Sequence, residues 1–296
     1  MSAQDPSSIR AWLQRAEAHL VRNGVPNARR NAEWMLCYSL GWNMLDVYVR
    51  STATLEGVCA HRYWEFVERR ASREPLQYIL QGTEFMSLPF EVRRGVFVPR
   101  PETELLVETT ERHLRERPLH QPLRMLDLCA GSGIVGVSLA RRVPNLEVVA
   151  VDIAPDATAL TAANAARNGV DNRVAVIETD AFAFLEHADE RFAAIVCNPP
   201  YIATRELAAL PREVREHEPM RALDGGKDGL DFYRRVAPLL ARRLHTNGFV
   251  VFEIGETQGR AVSALLRDAG LGAVEVAKDY AGCDRVVFAN QGIENG

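Results

Sequence analysis

The feature that most constrains the fold is the regular alternation of short apolar runs and longer amphipathic segments after residue 123. Apolar runs rich in Val, Ile and Phe are typical of buried strands, whereas apolar residues that recur every three to four positions indicate helices. We predict seven strands, at residues 124–128, 147–151, 173–178, 193–197, 248–254, 274–277 and 285–289, and helices at 134–143, 157–169, 232–244 and 257–269. This order predicts an α/β domain with a seven-stranded, mostly parallel sheet. The last two strands have no helix between them, which predicts one antiparallel strand near the edge.

The chain before this region has a different pattern. Apolar residues recur at helical spacing in segments that begin near Ile9, Ala28 and Cys59, which predicts a small helical domain over residues 1–81. Residues 82–98 are predicted to form a β-hairpin linker, with strands at 90–92 and 96–98 around a turn at Arg94-Gly95. The α/β domain then covers residues 99–296.

Composition excludes several classes of protein. The formal net charge is −4 and the pI is about 6.0, which argues against non-specific nucleic-acid binding. The five cysteines are scattered and form no CxxC pair, so we expect neither a metal site nor disulfides. The polar first residues and the absence of a long apolar stretch predict no signal peptide and no membrane span. We therefore expect a cytoplasmic protein.

The segment MLDLCAGSGIVGVSLA, residues 125–140, predicts a strand, a glycine loop and a helix. Gly131 and Gly133 let the backbone pass close to a ligand, and the following helix directs its amide end toward that ligand. Asp152, at the end of the second strand, can accept hydrogen bonds from both hydroxyls of a ribose. With Gly136 the loop also satisfies G-x-G-x-x-G, so this pattern alone leaves a dinucleotide as a second candidate cofactor.

The segment DLCAGSG, residues 127–133, resembles the cofactor motif of S-adenosylmethionine-dependent methyltransferases of the Rossmann-like class I. The resemblance implies S-adenosyl-L-methionine as the cofactor. It also implies that Asp180, which ends the third strand, contacts the adenine. A capping or turn role is the alternative for each of these carboxylates. We interpret Asp127 as a structural residue that holds the loop.

A stiff tetrapeptide, Asn198-Pro199-Pro200-Tyr201, follows the fourth predicted strand. Ligands of open α/β sheets bind beyond the carboxyl ends of the strands, so this segment should face the same crevice as the glycine loop. Proline fixes the backbone and donates no hydrogen bond, which leaves its carbonyl as an acceptor. The Asn198 side-chain oxygen and the Pro199 carbonyl could together hold a planar NH2 group, while Tyr201 offers an aromatic face. The alternative is a proline-rich turn that only closes the strand.

NPPY is similar to the motif of amino-methyltransferases that act on adenine, cytosine or the glutamine amide. Three further segments resemble the HemK/PrmC-type protein-glutamine methyltransferases: PRPETE at 99–104, ALDGGKDGLDFYRR at 222–235 and FEIGETQG at 252–259. That resemblance covers essentially the whole chain. It implies that the helical and catalytic domains together bind class I peptide chain release factors, and that the glutamine of their Gly-Gly-Gln motif is methylated on N5.

The resemblance also implies site residues. The cofactor would contact Cys129, Ala130, Gly131, Ser132, Gly133, Asp152, Asp180, Ala181 and Asn198. The substrate glutamine would be held by Asn198, Pro199, Pro200 and Tyr201, with Arg100 and Glu102 lining the site. Two positions depart from the family pattern: Cys129 replaces a glycine, which a small residue should tolerate, and Ala181 replaces a large aromatic next to the adenine.

Three alternatives remain open at this point. A sister branch methylates a glutamine of a ribosomal protein, although its linker usually departs from PRPETE. An adenine-N6 nucleic-acid methyltransferase would use the same pair of acceptors, but it needs a positive surface. A non-catalytic binding module would keep only the cofactor fold, which an intact NPPY argues against. We expect a monomer that forms no stable complex with nucleic acid or membrane.

Overall fold

The protein is described by a computed structural model over residues 7–116 and 123–291. Its helices, in chain order, are α1 Ile9–Arg22, α2 Ala28–Leu40, α3 Met44–Val49, α4 Gly57–Ala71, α5 Leu76–Leu80, α6 Glu104–Arg115, α7 Ile134–Arg142, α8 Pro155–Arg167, α9 Ala181–His187, α10 Arg212–His217, α11 Asp231–Leu240 and α12 Gly259–Asp268. Its strands are β1 Gly82–Phe85, β2 Leu88–Glu91, β3 Leu123–Leu128, β4 Leu146–Asp152, β5 Val174–Glu178, β6 Phe192–Cys197, β7 Leu244–Glu253, β8 Leu271–Lys278 and β9 Asp284–Gln291. Within these described ranges, no helix is both long and apolar enough to cross a bilayer.

The chain divides into two compact units, and the first consists of the residues up to Gln81 together with Pro211–His217. Its helices α1, α2 and α4 pack their apolar faces into one core, as their helical spacing predicts. The sequence prediction misses the short helices α3 and α5, which have too few turns to display a period. It also misses that residues 211–217 belong to this unit.

Ion pairs hold this inserted segment within the helical unit. The Arg70 side chain is buried and donates to the Asn31 amide oxygen at 2.8 Å, to the Glu74 carbonyl at 2.9 Å and to the Glu213 carboxylate at 3.2 Å. Arg73 donates to the other oxygen of Glu213. A buried guanidinium needs acceptors for its N–H groups, and Glu213 supplies the third acceptor for Arg70 and its negative charge.

The second unit begins with the β-hairpin, which lies one turn earlier than the sequence predicts. Strands β1 and β2 pair antiparallel, with Phe85 opposite Leu88, so the connection is the dipeptide Met86-Ser87. Both residues have positive φ, 52° and 61°, as a type I′ turn requires. The predicted turn at Arg94-Gly95 and the return strand at 96–98 are wrong, since residues 92–98 form a loop. Met-Ser lacks the Asn-Gly signature of this turn, which explains the error.

The main sheet has the order β5-β4-β3-β6-β7-β9-β8. All its pairs are parallel except those of β9, which runs antiparallel between β7 and the edge strand β8. This confirms the prediction of seven strands with one antiparallel strand near the edge. Alternate residues of β3 enter different cores: Met125 packs on one face, and Leu126 and Leu128 pack on the other. Both faces are covered, which explains why the strands read as continuous apolar runs.

The predicted helices of this unit are observed with shifts of up to four residues at their ends. The helix α9 is missing from the sequence prediction because it is only seven residues long. Its first residue follows directly on the residue that caps it, Asp180. The parallel strands β5, β4, β3 and β6 thus end at one edge of the sheet, and each is followed there by residues predicted to form the site.

Candidate functional site

The glycine loop lies between β3 and α7, and its backbone has left-handed conformations. Cys129, Gly131 and Gly133 have φ values of 57°, 58° and 78°. Such angles favour glycine, which gives a physical reason for the glycine that the resemblance implies where this chain has Cys129. Cysteine carries a backbone strain of about 1 kcal/mol at such an angle, and the expected tolerance of a small residue there has to include this cost.

Asp152 lies at the end of β4 and joins the two neighbouring loops. Its Oδ2 accepts a hydrogen bond from the Gly131 amide at 2.9 Å, and its Oδ1 accepts from the Ala154 amide at 2.9 Å. Each carboxylate oxygen has two lone pairs, so each can accept one further hydrogen bond. The side chain is half-buried, which leaves it accessible to a ligand at this edge. Its position is consistent with a ribose contact.

Helix α8 supports the glycine loop from behind through two residues that the sequence prediction missed. Thr161 donates its hydroxyl to the Gly131 carbonyl at 3.0 Å. The fully buried Asn164 donates to the Ser132 carbonyl at 2.8 Å, and it exchanges hydrogen bonds with the backbone of Glu91 in strand β2. A single amide thereby ties the hairpin and the loop to one helix. No motif marks it, because its two partner residues lie far from it in sequence.

Asp127 is buried beneath the loop. Its carboxylate accepts a hydrogen bond from the Gly136 amide at 2.8 Å, and burial raises its pKa to about 7. A Cβ at Gly136 would lie 2.8 Å from that carboxylate and 2.9 Å from a methyl of Val148. The third glycine of G-x-G-x-x-G is thus explained by close packing of α7 on the sheet, so the pattern does not by itself require a dinucleotide. The arrangement fits the structural interpretation of Asp127.

Asp180 caps helix α9. Its Oδ1 accepts from the amides of Phe182 and Ala183 at 2.9 and 3.0 Å. The capping role weighed in the sequence analysis is therefore present, and a contact of Asp180 with adenine stays a prediction. Ala181 is buried in the core, while Phe182 is half-buried with the Arg235 guanidinium 3.6 Å from its ring centre.

The Asn198 side chain has a defined partner inside the protein. Its Nδ2 donates to the hydroxyl oxygen of Thr103 at 3.2 Å. With the NH2 end turned inward, the Oδ1 end is directed away from Thr103. Among the described residues, no hydrogen bond occupies the carbonyl of Pro199. Among the described residues, neither predicted acceptor of the NPPY segment is engaged in a hydrogen bond within the protein.

Tyr201 is fixed at both its hydroxyl and its backbone. The hydroxyl donates to Oε1 of Glu253 at 3.1 Å, and burial raises the pKa of this phenol well above its ordinary value. The Gln258 amide donates to the Tyr201 carbonyl at 2.9 Å and to the Gly229 carbonyl at 3.1 Å. Glu253 and Gln258 belong to the FEIGETQG segment, which thereby serves as a support for NPPY.

The DGGKDG turn, residues 224–229, packs directly against the NPPY segment and the residue that follows it. The Gly225 amide donates to the Ile202 carbonyl at 2.8 Å, and the Ile202 amide donates to the Leu223 carbonyl at 3.0 Å. A Cβ at Gly225 would lie 2.8 Å from the Pro200 carbonyl, and one at Gly229 would lie 2.3 Å from the Tyr201 carbonyl. Glycine is required at both positions because the two backbones approach closely.

Arg100 and Glu102 have different environments. Arg100 forms an ion pair with the buried Glu218, which also accepts from the Val98 amide at 3.2 Å. Arg100 is therefore engaged within the protein. Glu102 is exposed in the short 3₁₀ turn Pro101–Thr103. The contacts predicted for these two residues with a ligand stay predictions.

The sequence matches the PrmC N-terminal domain family over residues 11–80 and the methyltransferase small domain family over residues 93–215. A release factor glutamine methyltransferase of Geobacter sulfurreducens is 42% identical over 95% of both chains. The chain belongs to the release factor glutamine methyltransferase family. A second member of this family, from Agrobacterium fabrum, is 36% identical over 97% of this chain and 99% of its own.

A solved methyltransferase from Pyrococcus furiosus supports the fold of a release factor glutamine methyltransferase. It shares 17% identity, covers 70% of this chain and 91% of its own, and superposes with a TM-score of 0.52. The chain is a class I methyltransferase, and its cofactor is S-adenosyl-L-methionine. The residues at the sheet edge fit this cofactor: Asp152 has lone pairs to accept from ribose hydroxyls, and the nearest atom to a Cβ placed on Gly131 is 3.9 Å away, which leaves room beside the loop.

Proposed function

We propose that the chain transfers a methyl group from S-adenosyl-L-methionine to the side-chain amide nitrogen N5 of the glutamine in the Gly-Gly-Gln motif of class I peptide chain release factors. The single observation that carries the proposal is the orientation of Asn198. Its NH2 group is directed to Thr103, which supports a role for Oδ1 and the neighbouring Pro199 carbonyl as a pair of acceptors at the edge where the glycine loop also ends.

The two acceptors match a carboxamide. An amide NH2 carries two hydrogens in one plane, and each can be donated to one of the two oxygens. The rigid Pro199-Pro200 backbone and the inward bond of Asn198 fix these oxygens before the substrate arrives. Positioning of this kind can lower the barrier by several kcal/mol.

The amide nitrogen is a weak nucleophile because its lone pair is delocalised into the carbonyl. S-adenosyl-L-methionine supplies a methyl group on a positively charged sulfur that leaves as a neutral thioether. Asn198 and Pro199 orient the substrate nitrogen and polarise its two N–H bonds. Electron density then shifts from the hydrogens toward the nitrogen. The nitrogen gains the methyl group and then loses one proton to water, so no side chain has to act as a base before the transfer.

Further parts of the proposal concern the helical unit and the setting. We assign this unit, residues 1–81, to recognition of the release factor, and residues 99–296 to catalysis. The protein is proposed to act as a monomer in the cytoplasm, where its substrate works. The names of the relatives support the release factor over a ribosomal protein or a nucleic acid.

The test is incubation with methyl-labelled S-adenosyl-L-methionine and purified release factors, ribosomal proteins or nucleic acid, followed by mass spectrometry of the products. We expect one methyl group on the glutamine of Gly-Gly-Gln. Asn198→Ala should reduce transfer at least a hundredfold while cofactor binding, measured by calorimetry, changes little. The exposed Asn172, in the turn before β5 and outside the predicted site, gives a control variant, Asn172→Ala.

The alternatives give distinct results. Label on adenine alone would support the nucleic-acid methyltransferase, and label on a ribosomal protein alone would support the sister branch. Cofactor binding without transfer to any of these substrates would support a binding module. Full turnover by Asn198→Ala would contradict the role of the acceptor pair.

A further inference from the structure

We infer that Thr103 and Glu253 are positioning residues which set the direction of the Asn198 amide, and so determine which end of that amide faces the substrate. This inference rests on the proposed function. The relay runs from Asn198 to the Thr103 hydroxyl and on to the Glu253 carboxylate. Thr103 lies 95 residues before Asn198, and neither Thr103 nor Glu253 is part of NPPY.

An amide side chain can present either its oxygen or its NH2 group, and the two ends differ little in shape. The choice therefore depends on what the partner can offer. A hydroxyl can act both as donor and as acceptor, so Thr103 alone would accept either orientation. A second group is needed to fix the direction in which the Thr103 hydrogen points.

Glu253 supplies that direction. It is 1% exposed, and Oε1 accepts from the Tyr201 hydroxyl at 3.1 Å. Among the residues that the structure describes, no donor completes a well-formed hydrogen bond to Oε2. Among the described residues, the Thr103 hydroxyl accepts from Asn198 and donates to no other group, and it lowers the pKa of this carboxylate, so we assign its hydrogen to Oε2. An ionised carboxylate only accepts.

The orientation of Asn198 follows from this. With its hydrogen directed to Glu253, the Thr103 oxygen can only accept, so Asn198 must present Nδ2 at the observed 3.2 Å. Oδ1 then faces the site. The same carboxylate accepts from the Tyr201 hydroxyl, so one buried charge supports the two polar side chains of the NPPY segment, Asn198 and Tyr201.

The relay predicts a pH dependence. Burial raises the pKa of Glu253 to about 6, against the lowering effects of Thr103, Tyr201 and Arg285, while the charge of Glu102 raises it further. The Tyr233 hydroxyl, which donates to the Glu253 backbone carbonyl at 2.7 Å, stays neutral over this range because its own pKa is raised by burial. A protonated Glu253 can donate to Thr103, so Thr103 can then donate to Oδ1 and the amide can turn. Activity should therefore fall as the pH is lowered through about 6.

The experiment compares kcat, KM and cofactor affinity of the full-length protein and three variants with release factor as substrate. Thr103→Val keeps the shape of the side chain and removes the hydroxyl, so we expect kcat to fall roughly a hundredfold with the cofactor Kd unchanged within twofold. Thr103→Ser restores the hydroxyl and should recover most of the rate. Thr110→Val is the matched control, because Thr110 is equally buried and bonds only the Leu106 carbonyl of its own helix at 2.7 Å.

A second measurement separates positioning from a loss of folding. Glu253→Gln has no titration in this range, so the decrease of kcat near pH 6 should disappear while the rate becomes lower and flatter. Asp127, whose pKa lies at about 7, is common to both proteins and cannot cause the difference. Unchanged kcat in Thr103→Val, or an acid limb that persists in Glu253→Gln, would overturn the inference. If the wild-type protein methylates no glutamine, the proposed function fails instead.

Discussion

The buried carboxylate of Glu253 should make the protein less stable as the pH rises. Its pKa in the fold is about 6, compared with an ordinary value of 4.5. Between these two values the folded protein holds a proton that the unfolded chain has released. The free energy of unfolding therefore falls as the pH rises through this window, by about 2 kcal/mol at 1.4 kcal/mol per pKa unit.

Glu253→Gln removes this titration and keeps the shape of the side chain. We expect the wild-type protein to lose about 2 kcal/mol relative to the variant between pH 4.5 and 6.5. The difference between the two curves isolates one group, since the contribution of Asp127 is present in both and cancels. The expected trend of stability is opposite to that of activity, which should increase over the same pH range.

Chemical denaturation at a series of pH values measures this difference. The four tryptophans lie at positions 12, 34, 42 and 64, all within the helical unit, so tryptophan fluorescence follows that unit alone. Far-UV circular dichroism follows the whole chain. The pH-dependent difference should be seen in the dichroism transition and be absent from the fluorescence transition wherever the two separate. Parallel stability curves for the wild-type and variant proteins would refute the assignment of a costly buried charge.

Two further predictions concern local packing. Gly229→Ala should abolish activity and reduce stability, since its Cβ would lie 2.3 Å from the tyrosine carbonyl of NPPY. Gly270 has a similar positive φ with open space around it, so Gly270→Ala should retain full activity in the same methylation assay. Glu213→Gln should lower the stability of the helical unit by about 3 kcal/mol, because Arg70 loses a charged partner while buried. Tryptophan fluorescence should report this loss, and Glu216→Gln, at an exposed neighbouring ion pair, should leave the transition unchanged.

Local patterns predicted the elements that repeat their period over several turns or a full strand. The seven strands and the long helices are in this class, because each displays its apolar run or its helical period within its own residues. Short elements escape this reasoning. The hairpin turn at Met86-Ser87 shows why: its positive φ values are imposed by the pairing of Phe85 with Leu88, and nothing in the dipeptide itself indicates them.

The sequence also predicted where the site lies. A glycine loop after one strand, Asp152 after the next and NPPY after a third must meet at one edge if those strands are parallel neighbours, and they do. The sequence determined the roles of Asp180, Arg100 and Glu102 less well, and their predicted ligand contacts stay predictions. Asp180 caps a helix and Arg100 pairs with Glu218, so polar contacts inside the protein compete with the predicted ligand for the same atoms.

By itself, the sequence determined the α/β class, and it predicted the cofactor edge and the pair of acceptors in Asn198-Pro199, because each depends on residues that are close together along the chain. Only the tertiary structure decided which way the Asn198 amide points. That direction depends on Thr103 and Glu253, which reach Asn198 and Tyr201 from 95 and 52 residues away. Hydrogen bonds between such distant residues are set by the order of strands in the sheet, which no local pattern encodes.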